Sequence, residues 1–128
     1  KKEQDRAEMF RKDLQIKTPS LRQAVRNLSG GNQQKVALSK GLAVDPEILI
    51  IDEPTVGIDI KTKAEIHRIM YDITKKGKSV ICITSDMPEL VQIADRIIVF
   101  RDGRIAGELI NNKDYDLMSK EIMNLIMT

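Results

Sequence analysis

Apolar residues recur along this chain in two rhythms, one suited to helices and one to strands. From about Glu3 to Leu14, Ala7, Phe10 and Leu14 fall at i, i+3 and i+7 among charged residues, which predicts an amphipathic helix. Thr18-Pro19-Ser20 breaks the rhythm, and Ser20 is placed to cap a short helix through about Arg26. Ser29 suits the N-cap of a helix that opens on Gly30 and Gly31 and runs to about Val44, where Asp45-Pro46 stops it. Val36, Ala37, Leu38, Leu42, Ala43 and Val44 make that helix apolar on most sides, so it is expected to be largely buried.

Three continuous apolar runs follow, Ile48–Ile51, Val80–Ile83 and Ile97–Phe100. Such runs suit strands covered on both faces, as in a parallel sheet. A helix from about Lys61 to Lys76, with Ile66, Ile69, Met70 and Ile73 on its apolar face and Gly77 beyond its end, separates the first two. Strand, helix, strand is then a βαβ crossover. A shorter helix near Met87–Ala94 leads to the third run. Arg101-Asp102-Gly103-Arg104 joins two strand-like stretches through an Asp-Gly hairpin turn. The last element, about Asp114 to Met127, sets Met118, Ile122, Leu125 and Ile126 on one helical face. The fold class is α/β, a mostly parallel sheet flanked by helices with a C-terminal β-hairpin.

Composition narrows the picture by exclusion. At 128 residues the chain can build one real core. A net charge of +2 gives little general attraction to nucleic acid, and 3% aromatic residues supply no stacking platform for single strands. No apolar run is long enough to span a bilayer. The single Cys82 sits inside the second apolar run and reads as a buried, inert thiol of a reducing compartment. His67, the only histidine, falls near the polar side of its helix and reads as a solvated surface residue. The chain opens at Lys1, already inside a helical pattern, as expected of a piece of a longer protein.

Two stretches carry chemistry. In Leu28-Ser29-Gly30-Gly31-Asn32-Gln33-Gln34-Lys35-Val36, glycines at a helix start let phosphate oxygens approach free backbone N–H groups, and Ser29 adds a hydroxyl. The bland alternative for Ser-Gly-Gly is an N-cap followed by permissive glycines. In Ile48-Leu49-Ile50-Ile51-Asp52-Glu53-Pro54-Thr55, two acids close a buried strand, at the end where open α/β sheets bind ligands. A carboxylate there suits a hard cation, and phosphoryl transfer needs neutralised charge and a positioned nucleophile. No G-x-x-x-x-G-K-[ST] phosphate loop occurs anywhere in the chain.

In this order the two stretches resemble the signature sequence and Walker B motif of ATP-binding cassette (ABC) ATPases. The resemblance spans about Leu14 to Leu125, and the Asn-Gln-Gln-Lys-Val ending looks like the second cassette of the fused ATPases that energise bacterial sugar importers. It implies a P-loop NTPase-like partial domain, with 1–45 a portion of the helical subdomain and 46–128 a portion of the catalytic core. It implies ATP and Mg²⁺ as cofactors, with Asp52 supporting the metal and Glu53 orienting or deprotonating the attacking water. Ser29, Gly30, Gly31, Asn32 and Gln33 would touch nucleotide. Gly57-Ile58-Asp59 stands at the spacing of the D-loop, with Asp59 facing the partner cassette while also suited to cap the next helix. Implied partners are a second cassette, packed head to tail, and transmembrane permease subunits. A periplasmic or extracellular sugar-binding protein acts indirectly, and no nucleic acid is involved. The implied location is the cytoplasmic face of the bacterial cell membrane.

The chain departs from the family at one position. ABC ATPases commonly place a His that holds the γ-phosphate after the second buried strand, and here Ser85 occupies it. Loss of one oriented donor typically costs about 10²–10³ in rate. The resemblance implies two unequal sites, in which the Ser29–Gly31 signature serves the better one while Asp52, Glu53 and Ser85 line the weaker. Rival readings are a non-catalytic interaction module, an importer ATPase for nucleosides or autoinducers, and a DNA-maintenance ATPase. The low net charge and the absence of heptads weigh against the last. In the resembled fold another strand lies between Val80–Ile83 and Ile97–Phe100, so those strands are expected to pair directly, to accept a partner's segment, or to drive self-association. With no Lys-bearing phosphate loop, the 128-residue chain alone, given MgATP, is expected to release phosphate at the background rate. Turnover abolished by Glu53→Gln would contradict this.

Overall fold

The protein is described here by a computed structural model covering residues 1–128, which fall into two units, Lys1–Ile83 and Thr84–Thr128. The first unit contains α1 (Lys2–Asp13), α2 (Gly30–Leu42), β1 (Ile48–Asp52), α3 (Ile60–Lys75) and β2 (Ser79–Ile83). The second contains α4 (Met87–Ile93), β3 (Arg96–Arg101), β4 (Arg104–Ile110) and α5 (Tyr115–Met127).

Helix α1 forms where expected, with acids in its first turn and bases in its last, which complements the helix dipole. No residue within it is buried; Phe10 is half-buried and Ala7 exposed, because this face lines an open groove with Val36 and Ala43 of the α2 region. Leu14 and Ile16, just beyond the helix, are buried instead. The helix expected from Ser20 to Arg26 is only a 3-10 turn over Val25–Asn27, and Ser20 does not cap it. Leu21 and Val25 are exposed there, so no buried face supports a longer helix. Helix α2 is also less buried than its composition suggests. Only Gly31, Lys35 and Leu38 are covered, while Ala37 and Val44 are exposed.

Strands β1 and β2 pair in parallel, with Leu49 opposite Val80 and Ile51 opposite Cys82. That face is the covered one: Leu49 and Ile51 are buried, and Val80 and Cys82 are half-buried. Helix α3 packs against β2 and buries Ile66, Met70 and Ile73, as its periodicity predicts. His67, expected to be solvated, is half-buried on the same helix. Gly77 follows α3 at φ 81°, a left-handed stop that glycine adopts without penalty. The opposite face of the sheet is bare. Ile48, Ile50, Ile81 and Ile83 are all exposed, Ile50 by 64%. The continuous apolar runs predict cover on both faces, and within this unit helices supply it on one.

In the second unit β3 and β4 form the expected antiparallel hairpin. Asp102 and Gly103 both have positive φ, 51° and 74°, which is the turn that matches the twist of paired strands. Ile97 and Val99 face inward with Val91, Met118 and Ile122 to make the core, while Ile98 and Phe100 face out. Gly107 allows α5 to approach closely, since a Cβ there would lie 2.7 Å from Leu125. Ile126, expected on the covered face of α5, is exposed. Asn111 donates from Nδ2 to the carbonyls of Val91 and Ala94, at 2.7 Å each, and satisfies the end of α4. Within its own unit, β2 pairs with β1, and β3 pairs with β4.

Ile66 has 0% exposure and is the side chain most fully enclosed by α3's packing. Ile66→Ala is expected to cost about 2–5 kcal/mol, read as a lowered urea midpoint at unchanged slope.

Candidate functional site

The start of α2 is built by Ser29, whose extended backbone (φ −60°, ψ 154°) turns the chain into Gly30. No side chain caps this helix start. Ser29 Oγ instead accepts a hydrogen bond from Asn32 Nδ2 at 2.8 Å. A hydroxyl that accepts in this way keeps its own proton for another acceptor. Asn32 is held from the other side, because its Oδ1 accepts from the Lys17 amide at 2.8 Å. Gln33 is committed within the chain: Nε2 donates to the Leu28 carbonyl at 2.8 Å and shapes the approach to Ser29. Ser29 and Gly30 are exposed. The result is a helix N-terminus with an oriented hydroxyl, an arrangement suited to an anion.

Gly31 is buried, and its role is steric. A Cβ placed on it would lie 2.2 Å from Thr62 Cγ2 on α3, so α2 can lie against α3 only without a side chain there. Thr62 cannot easily turn aside. Its amide donates to Asp59 Oδ1 at 3.0 Å and its hydroxyl to Asp59 Oδ2 at 2.7 Å. Asp59 thus caps α3, and the Thr62 hydroxyl, followed by its amide, holds the Asp59 carboxyl below the usual carboxylate range. The loop before it turns at Gly57, φ 71°, and Ile58 approaches Gly30, where an added Cβ would lie 3.5 Å from Cδ1. The helix starts at Ser29 and Asp59 therefore lie side by side.

One turn deeper, Lys35 is buried at 3% exposure. Its Nζ donates to Glu65 Oε2 at 2.7 Å and to the Gln15 carbonyl at 3.4 Å. The Lys35 hydrogen bond lowers the Glu65 carboxyl from its ordinary value. Lys35, Glu65 and Thr62 are absent from the site residues that the sequence motifs point to. The available signal was positional: Lys35 stands four residues after Gly31 and three before Leu38, on one face of α2.

Asp52 ends β1 on its bare face, opposite Ile83, and is exposed. Glu53 leaves the strand in a left-handed conformation, φ 46°, while its amide still donates to the Ile83 carbonyl at 2.8 Å. A glutamate at positive φ is strained, and such strain is held where the surroundings over-determine it. Buried Pro54 and Thr55 do so here. The two acids are therefore adjacent at the carboxyl end of a parallel pair. Ser85 lies in the second unit, exposed, between Thr84 and Asp86. Thr84 Oγ1 donates to buried Glu89 at 2.8 Å and accepts from the Asp86 amide, and Asp86 caps α4, so both neighbours of Ser85 are fixed.

Residues 2–56 match the family model for ABC transporters. Over 98% of its length the chain is 49% identical to the ribose import ATP-binding protein RbsA of Clostridium perfringens, covering 24% of that protein. The chain belongs to the ABC transporter family. It is 50% identical over 110 residues to the arabinose import ATP-binding protein AraG 1 of Burkholderia thailandensis, covering 85% of this chain and 22% of that one. The chain thus spans about a quarter of the length of these relatives. Among solved structures, the dimeric bacterial ABC transporter cassette MJ0796 aligns with TM-score 0.74 and 30% identity, over 84% of this chain and 47% of that one. The cassette MJ1267 shares the fold, with TM-score 0.81 at 19% identity over 98% of this chain and 50% of that one. The fold is that of a partial ABC ATPase domain, as the motifs imply.

Gly31→Ala is expected to destabilise the chain by about 1–3 kcal/mol through overpacking. Adding Thr62→Ser removes Cγ2 but keeps the hydroxyl on Asp59, and is expected to restore part of the loss in a thermal melt.

Proposed function

We propose that this chain is the C-terminal part of the second nucleotide-binding cassette of a bacterial importer ATPase that energises carbohydrate uptake. The observation that carries the reading is the start of α2: an exposed Ser29 hydroxyl, fixed as an acceptor by Asn32 and free to donate, beside exposed Gly30. That chemistry suits the γ-phosphate of an ATP gripped by the phosphate loop of another cassette. The sugar-import names of its relatives support the substrate class. In this reading residues 1–45 belong to the helical subdomain and 46–128 to the catalytic core.

Glu53 orients or deprotonates the attacking water, and its fixed backbone holds the carboxylate at the strand end. Mg²⁺ commonly takes one or two carboxylates, with phosphate and water completing its shell. The lone exposed carboxylate of Asp52 fits such a partial donor set, and no cluster of three acidic, His or Cys side chains forms an all-protein cage. Asp52 would hold the ion, which supplies charge neutralisation at the phosphates. Asp59 contacts the partner cassette from its position beside the signature turn. Gln33 acts on nucleotide indirectly, through the loop it braces. In this reading Ser85 replaces the histidine that commonly holds the γ-phosphate, and this cassette's own site is the weaker of two. No helix of the chain is long and apolar enough to cross a membrane. The proposed place is peripheral, on the cytoplasmic face, against permease subunits served by an external sugar-binding protein.

In the full-length importer, Ser29→Arg is expected to reduce sugar uptake more than Ser85→Ala. The first puts a bulky cation into the phosphate-facing helix start of the better site, and the second alters a site already lacking its imidazole. Uptake at equal expression checks this, and an equal or reversed ranking overturns the asymmetry.

A further inference from the structure

We propose that Lys35 and Glu65 are a positioning pair that fixes the register of α2 on α3, and through it the Ser29–Gly31 turn. The inference deepens the proposed function and rests on it for the catalytic consequence. Lys35 is nearly inaccessible to solvent, so its ammonium reaches no bulk water and cannot itself meet a ligand. Its two partners lie on different segments, Glu65 on α3 and the Gln15 carbonyl in the bend after α1, where Gln15 has φ 52°. One cation thus ties three segments together. The contacts run in parallel order: Gly30 near Ile58, Gly31 against Thr62, Lys35 on Glu65. The first two pairs tolerate sliding only until a methyl meets backbone. The third is a hydrogen-bonded ion pair with one short geometry, so it selects a single register.

The chemistry explains the choice of an ion pair over a hydrophobic one. A buried pair adds little net stability, and apolar replacements of similar volume are often neutral or better. What apolar side chains lack is direction. A helix start aimed at phosphate oxygens must be held closely, since small misplacements of a catalytic group cost large factors in rate. Glu65 remains partly exposed, with 37% of its side chain accessible, while Lys35 is enclosed. Lys35 is therefore the member whose ammonium finds its hydrogen-bond partners within the chain.

The test uses the full-length protein carrying Lys35→Met/Glu65→Leu, with Lys35→Arg as the conservative variant. The double variant is expected to melt within a few degrees of the unsubstituted protein. Its kcat is expected to fall about tenfold with KM for ATP unchanged, because the Ser29–Gly31 turn that the pair positions is proposed to serve the γ-phosphate in the transition state rather than ground-state binding. Amide hydrogen exchange over Gln33–Leu38 is expected to quicken about tenfold, with α5 unaffected. Lys35→Arg is expected to keep both readouts near the unsubstituted values. Unchanged exchange in the double variant, or a kcat that falls only in step with the melting temperature, overturns the proposal. If the double variant does not fold, Glu65→Gln carries the same two readouts, and the same results support or overturn the pair. An unsubstituted protein without ATPase activity would sink the proposed function, and the exchange result would still decide the pair.

Discussion

Helices α2 and α3 lie together because Gly31 presents nothing to Thr62. A single Cβ would sit 2.2 Å from the Thr62 methyl, and Thr62 is held in place by both carboxylate oxygens of Asp59. This contact joins two features that the sequence separates by some thirty residues, the Ser-Gly-Gly turn and the loop ending at Asp59. Each helix start carries partial positive charge. Asp59 neutralises one of them by capping α3, while α2 has no side-chain cap and keeps its start available. One helix start is thus closed by its own side chain while its neighbour stays open. Glycine at position 31 therefore serves packing, while glycine at 30 stays exposed.

The parallel pair of strands obeys a different constraint. Asp52 and Glu53 are consecutive, so a continued strand would throw them to opposite faces. The left-handed turn at Glu53 breaks that alternation at the first residue beyond β1. The amide bond from Glu53 to Ile83 keeps the pairing one step past the strand end, so the kink occurs under restraint rather than in a free loop. Buried Pro54 and Thr55 then carry the chain away without loosening it. The acids owe their placement to this local strain as much as to the strand.

Periodicity disclosed the elements whose burial is one-sided. Helix α3 and the hairpin turn at Asp102-Gly103 were legible because a stripe of isoleucines and a pair of turn residues each admit one solution. Composition misled where it counted residues without counting neighbours. Helix α2 is rich in apolar residues, but only Gly31, Lys35 and Leu38 are covered. Ile50 and Ile81 stand in continuous apolar runs, yet one face of their sheet is bare. The Ser20–Arg26 helix failed for the opposite reason, since a cap residue nucleates nothing when Leu21 and Val25 find no surface to cover. At the candidate site, the motifs singled out Ser29, Gly30, Asp52 and Glu53, and the structure places Ser29 and Gly30 at an exposed helix start and both acids at a strand end. Lys35 was not legible, because a lysine is ordinarily a solvated residue and its partner lies thirty residues away.

Ser85 shows how far local geometry can persist around a changed group. Thr84 and Asp86 are both occupied, one by the buried Glu89 carboxylate and one by the first turn of α4. The backbone at Ser85 is thus braced on both sides, and a short hydroxyl stands on it. A serine cannot reach as far as a histidine or carry its charge. In the proposed function, the catalytic burden of the pair of cassettes falls on the site that the α2 start completes, which would make the α2–α3 contact the part of this chain on which turnover most depends.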